Sequence, residues 1–291
     1  MSESALRLLI FVAIFVLVAL SEHAWPRRPR RQARWTRWRI NMGLLGIDIL
    51  AQRFTLGAAA VTMAVYAQVQ GWGLFNLQAW PPWLSAVTGF VVLDLAIYLQ
   101  HRLFHRVPVL WRIHRVHHTD LDLDLSSGFR FHPLEILLSL LYKVALVAAL
   151  GVSPVVVLVF EATLSAAALF NHANLCLPAR LDTALRWLVV TPDMHRVHHS
   201  VVPAETNSNY GFFISLWDRL FGSYRAQPAA GHVGMEIGLR DYQREDRLGL
   251  WQLVLIPFRQ PDPVQDSAGR PDPVDSVGVR RSDSGSKSNV R

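Results

Sequence analysis

Leu134 to Phe170 reads LEILLSLLYKVALVAALGVSPVVVLVFEATLSAAALF, two apolar runs parted by Gly151-Val152-Ser153-Pro154. The glycine and proline mark a tight turn, and each arm, Leu134 to Leu150 and Pro154 to Phe170, is long and apolar enough to sit in a bilayer as a helix. The stretch therefore reads as an antiparallel helical hairpin that returns the chain to the side it left. Flanking it is one short string in two copies, His114-Arg115-Val116-His117-His118 before and His195-Arg196-Val197-His198-His199 after. The hairpin lets strings 81 positions apart (114 to 195) meet on one side.

A hydrophobic share of 51% and a mean hydropathy of +0.22 are high for a soluble protein and point to a membrane. The net charge of +7 is not that of a nucleic-acid reader, because many of the arginines are gathered in one run, Arg27 to Arg39, directly after an apolar segment. That placement fits the positive-inside rule and contact with anionic lipid. Cys176 is the only cysteine, which excludes an intramolecular disulfide and a cysteine-based zinc site and leaves histidine and carboxylate as metal ligands.

Taken in order, Leu6 to Leu20 is a first span rather than a signal peptide, since the strong positive charge follows the apolar core instead of preceding it. A second span is expected over Gly43 to Ala67, cleanly apolar only from Phe54 because Asp48, Gln52 and Arg53 sit near its start. Trp72, Trp80, Trp83 and Pro81-Pro82 suit an interfacial loop over Gln68 to Trp83. A third span covers Leu84 to about Gln100. The polar, histidine-bearing stretch His101 to Pro133 must lie outside the hydrocarbon. Leu181 to Val190 carries an apolar stripe with Asp182 and Arg186 opposite, as in a helix lying on the membrane surface. Asn209-Tyr210-Gly211 and the amphipathic stretch Phe212 to Phe221 are expected to close over the histidines. From Gln260 onward the composition is that of a disordered tail. Counting crossings from the arginine run puts the histidine side in the cytoplasm; a re-entrant second segment would keep the histidines on one side but flip its identity.

A buried histidine costs free energy unless its ring nitrogens are paired or metal-bound, so clusters beside membrane-like sequence call for a chemical reason. Residues three and four apart share a helix face: His101 with His105, His114 with His117 or His118, and His195 with His198 or His199. With His172 at the end of the hairpin these make nine candidate ligands. At about four to six ligands per transition metal, nine nitrogens argue for two ions side by side. Imidazole accepts zinc, iron, copper or nickel, so the spacing does not name the metal. His23 and His232 read as ordinary residues. Asp94, two turns before His101 on the same face, is placed to accept the ring N–H of a metal-bound histidine. Glu161, about three turns before His172, shares its stripe; it either supports the site or makes an interhelical hydrogen bond.

The order His101-x3-His105, His114-x2-His117-His118, hairpin, His195-x2-His198-His199 resembles the membrane fatty acid hydroxylase and sterol desaturase superfamily. Flanking residues carry the likeness further: Asp94, Trp111, Asn171-His172-Ala173-Asn174, Thr191-Pro192, and Trp217-Asp218-Arg219-Leu220-Phe221-Gly222. The resemblance runs from about Pro82 to Tyr224.

The resemblance implies two non-haem irons, with zinc as a substitute metal, activating dioxygen to hydroxylate or desaturate a fatty acyl chain, sterol or related lipid. It assigns His101, His105, His114, His117, His118, His195, His198 and His199 as ligands, with His172 at the hairpin end. His132, in Arg130-Phe131-His132-Pro133, is either a further ligand or a support for one. Asp94, Glu161 and Asn171 are expected as supporting residues. The chain shows no cytochrome-like segment and no nucleotide-binding glycine motif, so a separate electron donor is expected, a ferredoxin or cytochrome with its reductase. The expected architecture is an all-α, multi-pass integral membrane protein. It has about four to five transmembrane helices and a cytoplasmic, histidine-rich, di-metal helical cap. It divides into N-terminal membrane segments with the arginine loop (1–81), a hydroxylase-like catalytic domain (82–225), an extension (226–259) and a tail (260–291). The competing reading is a membrane protein that binds or transports zinc through its histidines. A transporter would set ligands mid-span, whereas these lie at span ends. A zinc hydrolase is weaker still, for want of a His-Glu-x-x-His string.

Overall fold

The computed structural model describes residues 3–78 and 80–260; the expected tail over 261–291 lies outside the described residues. Among the described residues the chain is helical throughout, with isolated β-bridges and no strand. In chain order the helices that build the site are α1 (Glu3–Ala24), α2 (Arg34–Thr55), α3 (Ala59–Gln70), α4 (Leu74–Leu77), α5 (Pro82–Arg106), α6 (Pro108–His118), α7 (Pro133–Leu150), α8 (Pro154–His172), α9 (Ala179–Leu185) and α10 (Pro192–His198). Four stretches are long and apolar enough to cross a membrane: Arg34–Leu77, α5, α7 and α8; the apolar part of α1, Leu8–Ala24, is shorter.

The hairpin forms as its turn chemistry dictates. Gly151 ends α7 at φ +69°, and a Cβ there would meet the Trp72 carbonyl oxygen at 2.6 Å. Ser153 accepts from the Val156 N–H, and Pro154 opens α8. The arms pack with α3 and α5 around Ala64, Leu93, Leu140, Val147, Val157 and Phe160.

The expected second span, Gly43 to Ala67, is not one helix. α2 ends at Thr55, the chain turns through Leu56-Gly57-Ala58 with Gly57 at φ +54°, and α3 starts afresh at Ala59. Twelve residues of α3 rise only about 18 Å, so the crossing stretch Arg34–Leu77 draws on both helices. α2 is amphipathic: Arg37, Asn41, Leu44 and Asp48 form its buried stripe.

That stripe changes the reading of the arginine run. Arg37 is 2% exposed and holds Asp120 in a bidentate pair at 2.7 and 2.8 Å, Asp124 at 2.6 Å, and the Asp122 carbonyl at 2.9 Å. Arg27 pairs with Asp193, Arg34 with Glu22, and the Arg31 and Gln32 N–H groups donate to Asp122. Much of the run is thus a strap across the histidine cap rather than a lipid contact. Burial would raise the Asp120 carboxyl, but the Arg37 and Arg130 guanidiniums outweigh it and hold it well below the carboxylate range. The strapped loop is closed by a short 3₁₀ turn, Leu125–Phe129, that Asp124 caps.

At α9, Asp182 and Arg186 lie opposite the apolar stripe as expected, buried against each other at 2.6 Å, while Leu181, Trp187 and Leu188 are exposed. The apolar face therefore points away from the protein, as an interfacial segment requires.

Truncating Arg37 would leave Asp120 and Asp124 buried with their charge uncompensated, a loss of about 3–5 kcal/mol. Arg37→Ala is expected to lower the thermal unfolding midpoint of the purified protein sharply, whereas exposed Arg30→Ala leaves it in place.

Candidate metal centre

Two X-Pro steps and one helix end aim the histidines. Val107, extended before Pro108, breaks α5 from α6 and folds the second helix back on the first. Thr191 caps α10 by accepting from the Met194 N–H, with Pro192 at the first helical position. His172 is the last residue of α8.

The nine expected histidines meet in two groups. One holds His101, His105, His114, His118 and His198; the other holds His117, His172, His195 and His199. Within each group the facing nitrogens lie within 4.8 Å of one another. Each His-Arg-Val-His-His copy divides its members: the i, i+4 pair goes to one group and the i+3 residue to the other. The two copies do so in opposite senses, so each string contributes to both groups. His132 stands outside both. Its Nδ1 accepts from the Leu134 N–H and its Nε2 donates to the Val254 carbonyl, which makes it a cap for α7.

The hydrogen bonds behind the rings set their tautomers. Nδ1 of His101 donates to the Tyr210 carbonyl at 2.8 Å, that of His198 to Ser208 at 2.7 Å, that of His117 to Arg130 at 3.2 Å, and that of His172 to Ala168 at 2.7 Å. His114 Nδ1 donates to the Glu135 carboxylate at 2.7 Å. A carbonyl only accepts, and a neutral imidazole carries one N–H, so Nε2 of each of these rings presents a lone pair. Those lone pairs face each other. His101 Nε2 lies 3.1 Å from His114 Nε2 and 3.0 Å from His198 Nε2, and His117 Nε2 lies 3.0 Å from His172 Nε2. Two acceptors at that distance cannot share a hydrogen bond, and the repulsion is relieved by a cation between them.

Protonating the rings is disfavoured. Burial first, then the neighbouring imidazoles, drive His117, His118, His195, His198 and His199 well below the usual histidine range. Neutral rings with inward lone pairs are the ligand form, so the residues fit a pair of transition-metal ions held by five and four nitrogens.

Of the expected supporting residues, none hydrogen-bonds a ring of the two groups. Asp94 accepts from Trp217 Nε1 at 2.7 Å and the Ile214 N–H at 3.2 Å, not from a histidine. Seven residues place it about 10 Å along the axis from His101, too far for contact although on the same face. It anchors the 212–217 segment, while Asp218 accepts from the N–H groups of Tyr210 and Gly211 at 2.8 Å each. Together they hold the Tyr210 carbonyl against His101. Glu161 pairs with Lys143 at 2.6 Å between α7 and α8, the interhelical alternative. Asn171 donates to the Phe212 carbonyl at 2.6 Å and so ties the end of α8 to the same segment.

The carboxylate that does reach a histidine of the two groups is Glu135, in the first turn of α7 and buried. Its signal was available, since an acid at the mouth of an apolar arm, three residues past His132, has the same claim to function as Glu161.

Beside both groups lies a cavity of about 160 Å³ between α5, α7 and α8. Rings of His101, His114, His117, His172 and His195 form one wall, and Ile97, Phe104, Ile136 and Leu164 the others. Such walls suit an alkyl chain.

The fatty acid hydroxylase family model matches residues 86–223. The chain is 32% identical over 187 residues to the ornithine lipid hydroxylase OlsE of Rhizobium tropici, covering 63% of this chain and 54% of that one. It is 27% identical over 191 residues to the alkylglycerol monooxygenase of Homo sapiens, covering 63% and 40%. It is 31% identical over 138 residues to the Delta(7)-sterol 5(6)-desaturase ERG3 of Saccharomyces cerevisiae, covering 45% and 33%. The chain thus spans about half or less of the length of these relatives. No solved structure gives a match.

A carboxylate that orients a ligand histidine commonly contributes 10–100-fold to metal affinity. Glu135→Ala is expected to weaken retention of metal by about that factor in chelator competition, with helix content by circular dichroism unchanged and Glu161→Gln retaining metal as the parent does.

Proposed function

Because the chain belongs, through residues 86–223, to the fatty acid hydroxylase family, we propose that it is a membrane-bound, oxygen-dependent oxidoreductase. It would hydroxylate or desaturate a lipid at two non-haem irons. The observation that carries this reading is the opposition of lone pairs between His101, His114 and His198 and between His117 and His172 beside an apolar cavity. Irons held there supply the redox chemistry that couples dioxygen reduction to removal of hydrogen from an unactivated C–H bond.

The chain's own residues do the rest. Four backbone carbonyls and Glu135 fix the tautomers of His101, His114, His117, His172 and His198, so those five nitrogens need no rearrangement on binding metal. Phe131 stacks on His117 at 4.3 Å between centroids and, with Phe104, limits water at the cavity wall. Ile97, Ile136 and Leu164 hold the chain of the substrate. The zinc-transport alternative is not favoured: the relatives are lipid hydroxylases, monooxygenases and desaturases, and the histidines gather at helix ends on one side. The arginine loop lies on that same side through Arg27 and Asp193, and the positive-inside rule then assigns it to the cytoplasm.

Purified protein is expected to carry about two irons per chain. His117→Ala and His198→Ala strike different groups; each should lose iron and abolish lipid oxidation, seen by mass spectrometry as loss of the product heavier by one oxygen or lighter by two hydrogens. Stoichiometric zinc, no iron, and no activity with reductant and oxygen would overturn the reading.

A further inference from the structure

The reaction proposed above needs more electrons than the C–H bond supplies. Hydroxylation takes the substrate, dioxygen, two electrons and two protons to the alcohol and one water; desaturation takes the same inputs to the alkene and two waters. The electrons arrive singly from a carrier protein that is oxidised as it delivers them. We propose that Trp111, with the rim Arg102, Arg106 and Arg112, is the docking surface for an acidic one-electron carrier protein, and that the Trp111 ring is the electron's path inward. This rests on the oxidoreductase reading of the histidine site.

Trp111 is half-buried, and its ring lies 4.9 Å from that of His105 and 5.4 Å from that of His118, centroid to centroid. Both histidines belong to the five-nitrogen group, and His105 is itself partly exposed, whereas every member of the four-nitrogen group is buried. A carrier on this face comes closer to a metal through Trp111 than through any ring of the second group. Trp111 does not line the cavity, so docking leaves the substrate space open.

The rim has the charge such a partner requires. Arg106 follows His105 and Arg112 follows Trp111; both are exposed, and neither forms an ion pair with a described residue. Arg102 sits one turn before Arg106, and both act electrostatically on Tyr210, whose ring is 5.1 Å from that of His105. The contrast is with Arg27, Arg34 and Arg37, whose charges are consumed within the fold. Exposed Val109, between the two arginines, offers an apolar contact inside a basic ring. Charge of one sign around an aromatic steers an oppositely charged partner and fixes its orientation.

The test uses the full-length protein in neutral phosphatidylcholine nanodiscs, with an acidic two-iron ferredoxin as the probe. Binding is expected at low ionic strength and should weaken as salt is added. Arg106→Glu combined with Arg112→Glu should weaken it by about tenfold or more, while Arg30→Glu changes it less than twofold. Trp111→Leu should bind the ferredoxin as the parent does and keep its metal, yet slow reoxidation of the reduced ferredoxin about tenfold, with Trp111→Phe restoring much of the rate. Salt-independent binding overturns the proposal. So does a charge reversal that spares ferredoxin binding but abolishes attachment to phosphatidylglycerol vesicles, which would make the rim a headgroup site. Parent-like reoxidation in Trp111→Leu removes the path through the ring. Binding is also measured on metal-free protein, so its failure is separable from a failure of the iron reading, which metal analysis of the parent decides.

Discussion

The structure depends on holding two groups of clustered imidazoles, mostly buried, with ring lone pairs pointing at one another. Left alone, such an arrangement is repulsive, and each ring could escape by rotating or by taking a proton. Rotation is stopped by what stands behind the rings: four carbonyls and one carboxylate each take an Nδ1 hydrogen. Protonation is stopped by burial and by the presence of the other rings. The repulsion that remains is what a metal ion relieves, so the free energy held in the apo arrangement returns as affinity for the ion.

Holding those carbonyls in place is the task of the rest of the cap, and it is done with buried charge. Arg37, Asp120 and Asp124 lock the loop that follows the first histidine string, and Arg130, whose carbonyl faces His117, donates from its guanidinium to Thr119, Asn41 and the Val116 carbonyl. Asp94 and Asp218 lock the loop that supplies the Tyr210 carbonyl. Buried ion pairs are weak devices for stability, because desolvation offsets most of the Coulombic gain, but they specify geometry well. Here that geometry is the aim of a carbonyl at a ring nitrogen.

This division explains what could be read in the sequence. The hairpin was legible because Gly151 and Pro154 interrupt the apolar-rich stretch Leu134 to Phe170 with unambiguous turn chemistry, and the histidines were legible because i, i+3 and i, i+4 spacing is a local property. Which histidines gather in one group was not, because it depends on how α6 and α10 cross α5 and α8, a tertiary fact. The arginine run misled for a related reason: a cluster of positive charge after an apolar segment looks the same whether it faces phosphate or buried aspartates 83 to 87 positions away. Asp94 and Glu161 each share a helical face with a histidine, but a shared face does not bring side chains together across two turns or more. Glu135 reaches His114 from another helix, at 21 positions' separation, where no periodicity links them.

The two groups are unequal, and the inequality gives the site a direction. The four-nitrogen group turns three of its rings, His117, His172 and His195, to the cavity, whereas only His101 and His114 of the five-nitrogen group reach it. With fewer protein donors, an ion held by the four-nitrogen group would have more of its coordination left for other ligands. The five-nitrogen group is the one in ring contact with Trp111 and nearer the surface. On the proposed reading, substrate and dioxygen would enter on the cavity side and electrons on the Trp111 side, with rings such as His117 and His118, 5.4 Å apart on one turn of α6, joining the two. Splitting each histidine string between the groups is what makes that junction covalent: the backbone of a single helical turn holds both centres, so neither can shift without the other.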